Sequence, residues 1–202
     1  MKKFFLFLTA IFLVSCASSR LESRFSPVYV TNSSKFCILQ PESMTGSLEG
    51  LQRIEASFGK NQLEGDVYVI ANDEQLSMIL MSEFGTTLAE LFYDGEEVDF
   101  ESALFPKKFK AEYVVADFQF ALYDVEILQK KLAEIGVDFE ILTEKKQSEL
   151  IETRKLSQKG KLIAKITKIS GKNAENGGDE LKSIRYENFL RGYSYELTEV
   201  SE

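Results

Sequence analysis

Residues 75–95 read Gln-Leu-Ser-Met-Ile-Leu-Met-Ser-Glu-Phe-Gly-Thr-Thr-Leu-Ala-Glu-Leu-Phe-Tyr-Asp-Gly. Two short apolar runs, Gln75–Met81 and Thr86–Tyr93, flank Gly85, and their composition predicts strands. Asp94-Gly95 then gives the strongest hairpin signal in the chain, because Asp-Gly suits the φ > 0 demands of a type I′ turn. Upstream, Ile54–Phe58 and Gly65–Ala71 repeat the pattern around Gly59-Lys60-Asn61 and Asn72-Asp73. Spacing this close predicts an antiparallel meander. Leu76, Met78 and Leu80 alternate with Ile79 and Met81, and Leu91 and Tyr93 with Leu88 and Phe92. A sheet wetted on one face alternates more cleanly. Both faces are therefore expected to be covered, or one to line an apolar cavity.

Residues 106–136 change period. Phe109, Tyr113, Ala116 and Phe120 fall on one helical stripe. Tyr123-Asp124 interrupts it, with Asp124 a good N-cap for a second stripe of Val125, Leu128, Leu132 and Ile135 that ends at Gly136, the expected C′ residue. Strands resume over Val137–Leu142, Glu149–Leu156, Leu162–Ile169, Leu181–Asn188 and Tyr193–Val200, with a hairpin loop at Ser170–Asp179. The expected class is mainly β with inserted helices (α+β).

Lys2-Lys3, the apolar run Phe4–Val14 and Ser15-Cys16 have the layout of a secretory leader whose core is too short to span a bilayer of about 30 Å. Leu13-Val14-Ser15-Cys16 resembles the bacterial lipoprotein signal, which implies cleavage before Cys16 and lipidation of its thiol. Residues 1–15 are then the signal peptide, the polar stretch 16–35 a lipidated tether and 36–202 the domain. Ala17 stands where the best-known inner-membrane retention signal has Asp. The resemblance therefore implies the outer membrane of a Gram-negative cell, periplasmic face.

The chain has 24 Lys and Arg against 32 Asp and Glu, a net charge of −8, and no histidine. Nothing here offers nucleic acid a basic footprint. The absence of histidine removes the usual triads and most catalytic zinc sites. Cys37 is the one cysteine besides Cys16, and Phe36-Cys37-Ile38-Leu39 reads as a strand with a buried thiol. The acidic residues Glu96, Glu97, Asp99 and Glu101 lack the spacing of a calcium loop and read as a solvated loop face. No metal, cofactor or catalytic residue is expected, and the protein reads as no enzyme. Asp117 and Gln119 are polar groups inside an apolar helix, and are expected to be structural, Asp117 bonding backbone or an arginine to lock the helix on the sheet.

Leu91-Phe92-Tyr93-Asp94-Gly95, Leu104-Phe105-Pro106 and Tyr113-Val114-Val115-Ala116-Asp117-Phe118-Gln119 together resemble a family of uncharacterised bacterial lipoproteins, as do Ile184-Arg185-Tyr186 and Gly192–Leu197 near the end. The resemblance runs from about Phe36 to Thr198. Members of that family are often encoded beside fatty-acid-type genes for aryl-polyene pigments. The family in turn is distantly similar to the lipoprotein carrier LolA and receptor LolB. That implies a curved, unclosed antiparallel β-barrel with a helical pair covering an apolar concave face. Met81–Leu88 is similar to a LolB stretch in which an exposed leucine helps deliver lipid to the membrane. Phe84 takes the leucine's place and Glu83 stands where that stretch has proline, so Phe84 is the membrane-loop candidate, the alternative being a core Phe that ends a strand.

The function implied is binding and transfer of a lipidic molecule, either acylated protein or an aryl-polyene lipid, without covalent chemistry. A monomer attached to the membrane by its lipid anchor is expected. Cavity candidates on the helices are Tyr113, Ala116, Phe120, Leu128 and Leu132; those on strands are Leu91, Tyr93 and Tyr195. Apolar and aromatic residues at such spacing are usually core, and a packed core is the alternative for each of these. The alternative function is an envelope assembly factor that docks on a partner protein and binds no lipid.

Overall fold

A computed structural model describes residues 25–172 and 179–200. The expected leader, Cys16 and the Asn176-Gly177-Gly178 loop lie outside the described residues. The chain runs β1 (Val28–Tyr29), β2 (Lys35–Phe36), β3 (Leu48–Phe58), β4 (Asn61–Ala71), β5 (Leu76–Met81), β6 (Thr87–Tyr93) and β7 (Val98–Ser102). Two helices follow, α1 (Glu112–Leu122) and α2 (Val125–Glu134). The remainder is β8 (Asp138–Lys146), β9 (Glu149–Gln158), β10 (Lys161–Lys172), β11 (Asp179–Asn188) and β12 (Tyr193–Glu199).

Ten strands form one sheet in the order β7-β6-β5-β4-β3-β12-β11-β10-β9-β8, every neighbour antiparallel. The central seam joins the two meanders, with Tyr195 of β12 opposite Ala56 of β3. β7 and β8 are the two edges and do not pair with each other, so the sheet is not closed into a barrel. Both helices lie in the connection between those edges. The chain leaves one margin of the sheet at β7, runs through α1 and α2, and re-enters at the opposite margin. That path places the helices across the inner face, where the core gathers.

Alternation decides what points inward. Ala56 on β3, Val67 and Val69 on β4, Leu76 and Leu80 on β5, and Ala89, Leu91 and Tyr93 on β6 are buried inward, with Ile54 of β3 packed against them. The opposite face is less covered than its composition suggests. Leu51, Tyr68, Ile79 and Phe92 each remain more than a third exposed there. Leu51, Tyr68 and Ile79 lie directly across from one another on β3, β4 and β5. Of the two alternatives, both faces covered or one lining an apolar cavity, the first does not hold: the inner face is covered and the outer carries an apolar row.

The helix signals act as expected. Asp124 Oδ1 accepts from the Ile127 amide at 3.0 Å. At the other end Gly136 adopts φ +71°, its amide donates to Ala133 at 3.0 Å, and that of Val137 donates to Leu132 at 2.9 Å. These two bonds form a Schellman motif, for which a residue without Cβ is favoured at Gly136. The carbonyl end of α1 is satisfied from the sheet. Arg154 of β9 is buried and donates from Nη1 to the carbonyls of Phe120 and Tyr123 at 3.1 and 2.9 Å. Its Nε donates to Glu152 at 2.7 Å, and Lys168 lies 2.7 Å from the same carboxylate oxygen. Burial alone would raise Glu152, yet the two cations hold it below the usual carboxylate value.

Four expectations change on contact with the structure. The described part of the expected tether belongs to the fold. β1 and β2 form a hairpin, with Val28, Val30 and Phe36 buried, and Ser34 Oγ donates to the Ile135 carbonyl at 2.8 Å. Thr31-Asn32-Ser33-Ser34 is that hairpin's turn, closed by the Ser34 amide on Thr31 Oγ1 at 2.8 Å. Cys37 is exposed, because Phe36 and Ile38 take the inward positions on either side of it. The acidic stretch contains β7, with Val98 and Phe100 packed inward and Asp99 and Glu101 exposed. The Asp94-Gly95 hairpin exists, but its loop spans Asp94 to Glu97 and only Gly95 has φ > 0. There Asp94 Oδ1 accepts from the Glu96 amide at 2.7 Å and from that of Glu97 at 3.1 Å.

Candidate functional site

The inner face is only half filled. Toward one end of the strands the hairpin and α1 pack it solid. Phe25 meets Tyr93 edge-on at 5.5 Å, and Phe36 packs on Phe120 at 4.9 Å. Gln119 is 0 % exposed and clamps Leu39: its Nε2 donates to the Leu39 carbonyl at 2.7 Å, and its Oε1 accepts from the Leu39 amide at 2.9 Å. Tyr93 Oη donates to that same carbonyl at 2.7 Å. A buried side-chain amide thus satisfies a backbone segment outside any sheet, as burial requires. Burial, with Tyr123 and Asp94 nearby, raises the Tyr93 hydroxyl well above its ordinary value.

Toward the other end lies a cavity of about 540 Å³. Its floor is the inner face of the first meander and the central seam: Ile54 and Ala56 of β3, Val67 of β4, Met78 and Leu80 of β5, Ala89 and Leu91 of β6, and Leu197 of β12. The roof is the first two turns of α1 through Tyr113, Val114, Asp117 and Phe118. Phe105 and Phe109, in the loop leading to α1, close one side and stack at 4.7 Å. Phe100 lies 6.1 and 5.3 Å from those two rings. The cavity reaches solvent where the lining residues Pro106, Lys108, Lys110 and Arg191 are exposed.

The polar content of the lining is small. Among the described residues Asp117 is the one acid of the lining. Tyr193 Oη of β12 donates to Asp117 Oδ2 at 2.7 Å, which joins helix to sheet. Burial pushes the Asp117 carboxyl up to about 7, opposed by hydrogen bonds from Tyr193 and Tyr186 and by the charge of Arg191. Behind it Tyr186 stacks on Tyr193 and Tyr195 at 5.9 and 5.3 Å, and Tyr195 on Phe118 at 6.4 Å. Burial and the Asp117 charge raise all three tyrosine hydroxyls well above their ordinary values, so they stay protonated donors. Arg191 at the mouth lies over the Tyr113 ring at 5.1 Å and donates to the Tyr29 carbonyl.

Among the expected cavity residues, Tyr113, Leu91 and Tyr195 line this hollow. Ala116, Phe120, Leu128, Leu132 and Tyr93 do not; they are buried in the packed half, so for them the packed-core reading holds. The stripe through Phe109, Tyr113, Ala116 and Phe120 is offset from the cavity-lining one, which runs through Tyr113, Val114, Asp117 and Phe118. Asp117 bonds a tyrosine rather than backbone or an arginine. Phe84 is 93 % exposed at the tip between β5 and β6. Reading the sequence missed Phe58, Phe100 and Phe105 as lining, and the cations Lys108, Lys110 and Arg191.

The antiparallel register sets the cavity end of the sheet apart. Phe58 pairs with Asn61 and Tyr193, Met81 with Asp66 and Thr87, and Ala89 with Ser102. The β3–β4 and β5–β6 turns, the exit from β7 and the β11–β12 turn therefore share one rim. On that rim Phe58, Phe84, Leu104 and Phe189 are exposed. Among the described residues no helix is long and apolar enough to cross a membrane, and no group of three or more metal-ligating side chains occurs.

Fold and site together define an open antiparallel sheet holding an apolar cavity beneath a helical cover. The chain belongs to the family described as "Protein of unknown function (DUF3261)", which matches residues 49–201. That span runs from Glu49 of β3 through β12 and includes every lining residue of the cavity. No curated protein matches the chain.

Proposed function

We propose that this protein is a lipid-anchored carrier on the periplasmic face of the outer membrane. It takes a lipidic molecule, either an acylated protein or an aryl-polyene lipid, into its cavity and passes it on without covalent chemistry. The observation that carries the reading is the 540 Å³ hollow with aliphatic and aromatic walls. Ligand cavities of about 300–1,000 Å³ are the usual size for one small molecule. Uptake is driven by removing apolar ligand surface from water, at roughly 25 cal/mol per Å² before association costs. The rim adds support. Phe84, with Phe58, Leu104 and Phe189, surrounds the cavity end with exposed apolar side chains, as delivery to a bilayer would require. The resemblance to LolA and LolB supports the same architecture.

A second reading, docking on an envelope protein, is favoured by one observation: the exposed row of Leu51, Tyr68 and Ile79 on the outer face, away from the cavity. Native mass spectrometry of the chain bearing Cys16→Ser, purified without detergent from cells, separates the two. A carrier retains lipid in the complex. A docking protein shows the polypeptide mass alone, and its partner is lost when Tyr68→Glu breaks the outer row.

A further inference from the structure

The cavity's charge is opposite to the chain's. The protein carries a net charge of −8, yet the hollow is lined by Lys108, Lys110 and Arg191 against one acid, Asp117. All three cations are exposed, so they stand where the cavity meets water. Asp117 is buried on the inner side of α1 and is engaged by Tyr193. The remaining lining is hydrocarbon and aromatic ring. The arrangement is therefore polarised, with a greasy interior and a cationic mouth.

Size narrows the occupant further. A water molecule's share of liquid volume is about 30 Å³, close to that of one heavy atom of a chain with its hydrogens. Dividing 540 Å³ by that share leaves room for about 18 such atoms. One chain and its head group fit.

We infer that the cavity takes a single-chain anionic amphiphile, a long-chain carboxylate, with its tail against Val67, Met78 and Leu80 and its head group at Lys108, Lys110 and Arg191. This inference rests on the carrier reading and narrows its ligand to one acidic chain. The mouth selects by charge: a cation in the same position meets three like charges. Selection weakens as salt screens the exposed lysines.

The test uses the chain bearing Cys16→Ser and a neutral, apolar fluorophore, N-phenylnaphthylamine, which brightens in apolar surroundings; the protein has no tryptophan to interfere. Dodecanoate, dodecanol and dodecyltrimethylammonium, each below its micellar concentration, compete for the site. The expected result is displacement by dodecanoate at a concentration at least tenfold below that of the trimethylammonium compound (about 1.4 kcal/mol). The double variant Lys108→Gln/Lys110→Gln changes only exposed side chains, and loses roughly fivefold or more in dodecanoate affinity with dodecanol unchanged. Equal displacement by all three compounds overturns the charge selection while leaving a lipid carrier standing. A fluorophore that never brightens overturns both, because the cavity then admits no hydrocarbon.

Discussion

The hydroxyl of Tyr193 donates to the carboxylate of Asp117 across 2.7 Å, joining the last strand to the first helix over 76 positions of sequence. It is a polar pin in an apolar roof, and it makes stability sensitive to pH. Burial raises the folded-state Asp117 carboxyl from an ordinary 3.8 to about 7. Between those values the folded state holds a proton that the unfolded state has released, so stability falls as pH rises from about 4 to about 7. Asp117→Asn keeps an acceptor for Tyr193 and cannot ionise. Urea unfolding across that range should show the wild type losing up to about 1.4 kcal/mol per pH unit through this group relative to the variant. Parallel curves for the two proteins would show that Asp117 titrates normally.

Arg154 holds the end of α1. Arg154→Met removes two hydrogen bonds to helix carbonyls and leaves the partly buried Glu152 with Lys168 alone. Breaking a buried pair in this way costs about 3–5 kcal/mol. A fall of that size in unfolding free energy is expected. Because Arg154 lies in the packed half, binding to protein that remains folded should be unchanged.

Ala56 and Ala89 place methyl groups where their strand neighbours place larger side chains, and both line the hollow. Ala56→Leu with Ala89→Leu fills it from the floor. Thermal unfolding should be unchanged or rise, since filling a cavity commonly adds about 0.5–2 kcal/mol. Displacement of a bound fluorophore should reveal a loss of most of its affinity. A destabilised double variant would mean the space is already occupied by packing.

Phe84 contributes little to the fold at 93 % exposure. Phe84→Ser should leave unfolding within about 0.5 kcal/mol of the wild type. Transfer of a labelled fatty acid from the protein to vesicles should nonetheless slow several-fold, as the proposed delivery role of this rim aromatic requires. Equal transfer rates would remove Phe84 from the delivery surface.

Local signals in the sequence were enough for most of the architecture. Alternation in β4 to β6, the cap at Asp124 and the stop at Gly136 each involve residues close in sequence. β7 was harder to see: Asp99 and Glu101 mask the alternation of Val98 with Phe100, which is the usual mark of an edge strand wet on one side. The first hairpin was hidden in the same way. Thr31 to Ser34 reads as flexible linker, while Val28, Val30, Phe36 and Ile38 on either side carry the period-two pattern of buried strands.

The cavity was legible only in kind. Apolar character on β5 and β6 pointed to a covered face, but which half of it stays open depends on contacts far apart in sequence. Gln119 reaches Leu39, and Tyr195 lies opposite Ala56. Leu128 and Tyr93 belong to the packed half because the N-terminal segment fills it with Phe25 and Leu39. The cations were missed for a different reason. Lys107-Lys108-Phe109-Lys110 has no period of its own, and Arg191 lies within the β11–β12 turn; only the sheet register brings them to one mouth.

The most direct test is to locate the ligand. Crystals of the protein soaked with a long-chain carboxylic acid brominated at its methyl end should give an anomalous bromine peak between α1 and the inner faces of β4, β5 and β6, beside Met78 and Leu80. A bromine bound on the outer row near Tyr68, or none within the sheet at saturating ligand, would contradict a carrier whose cavity accepts hydrocarbon.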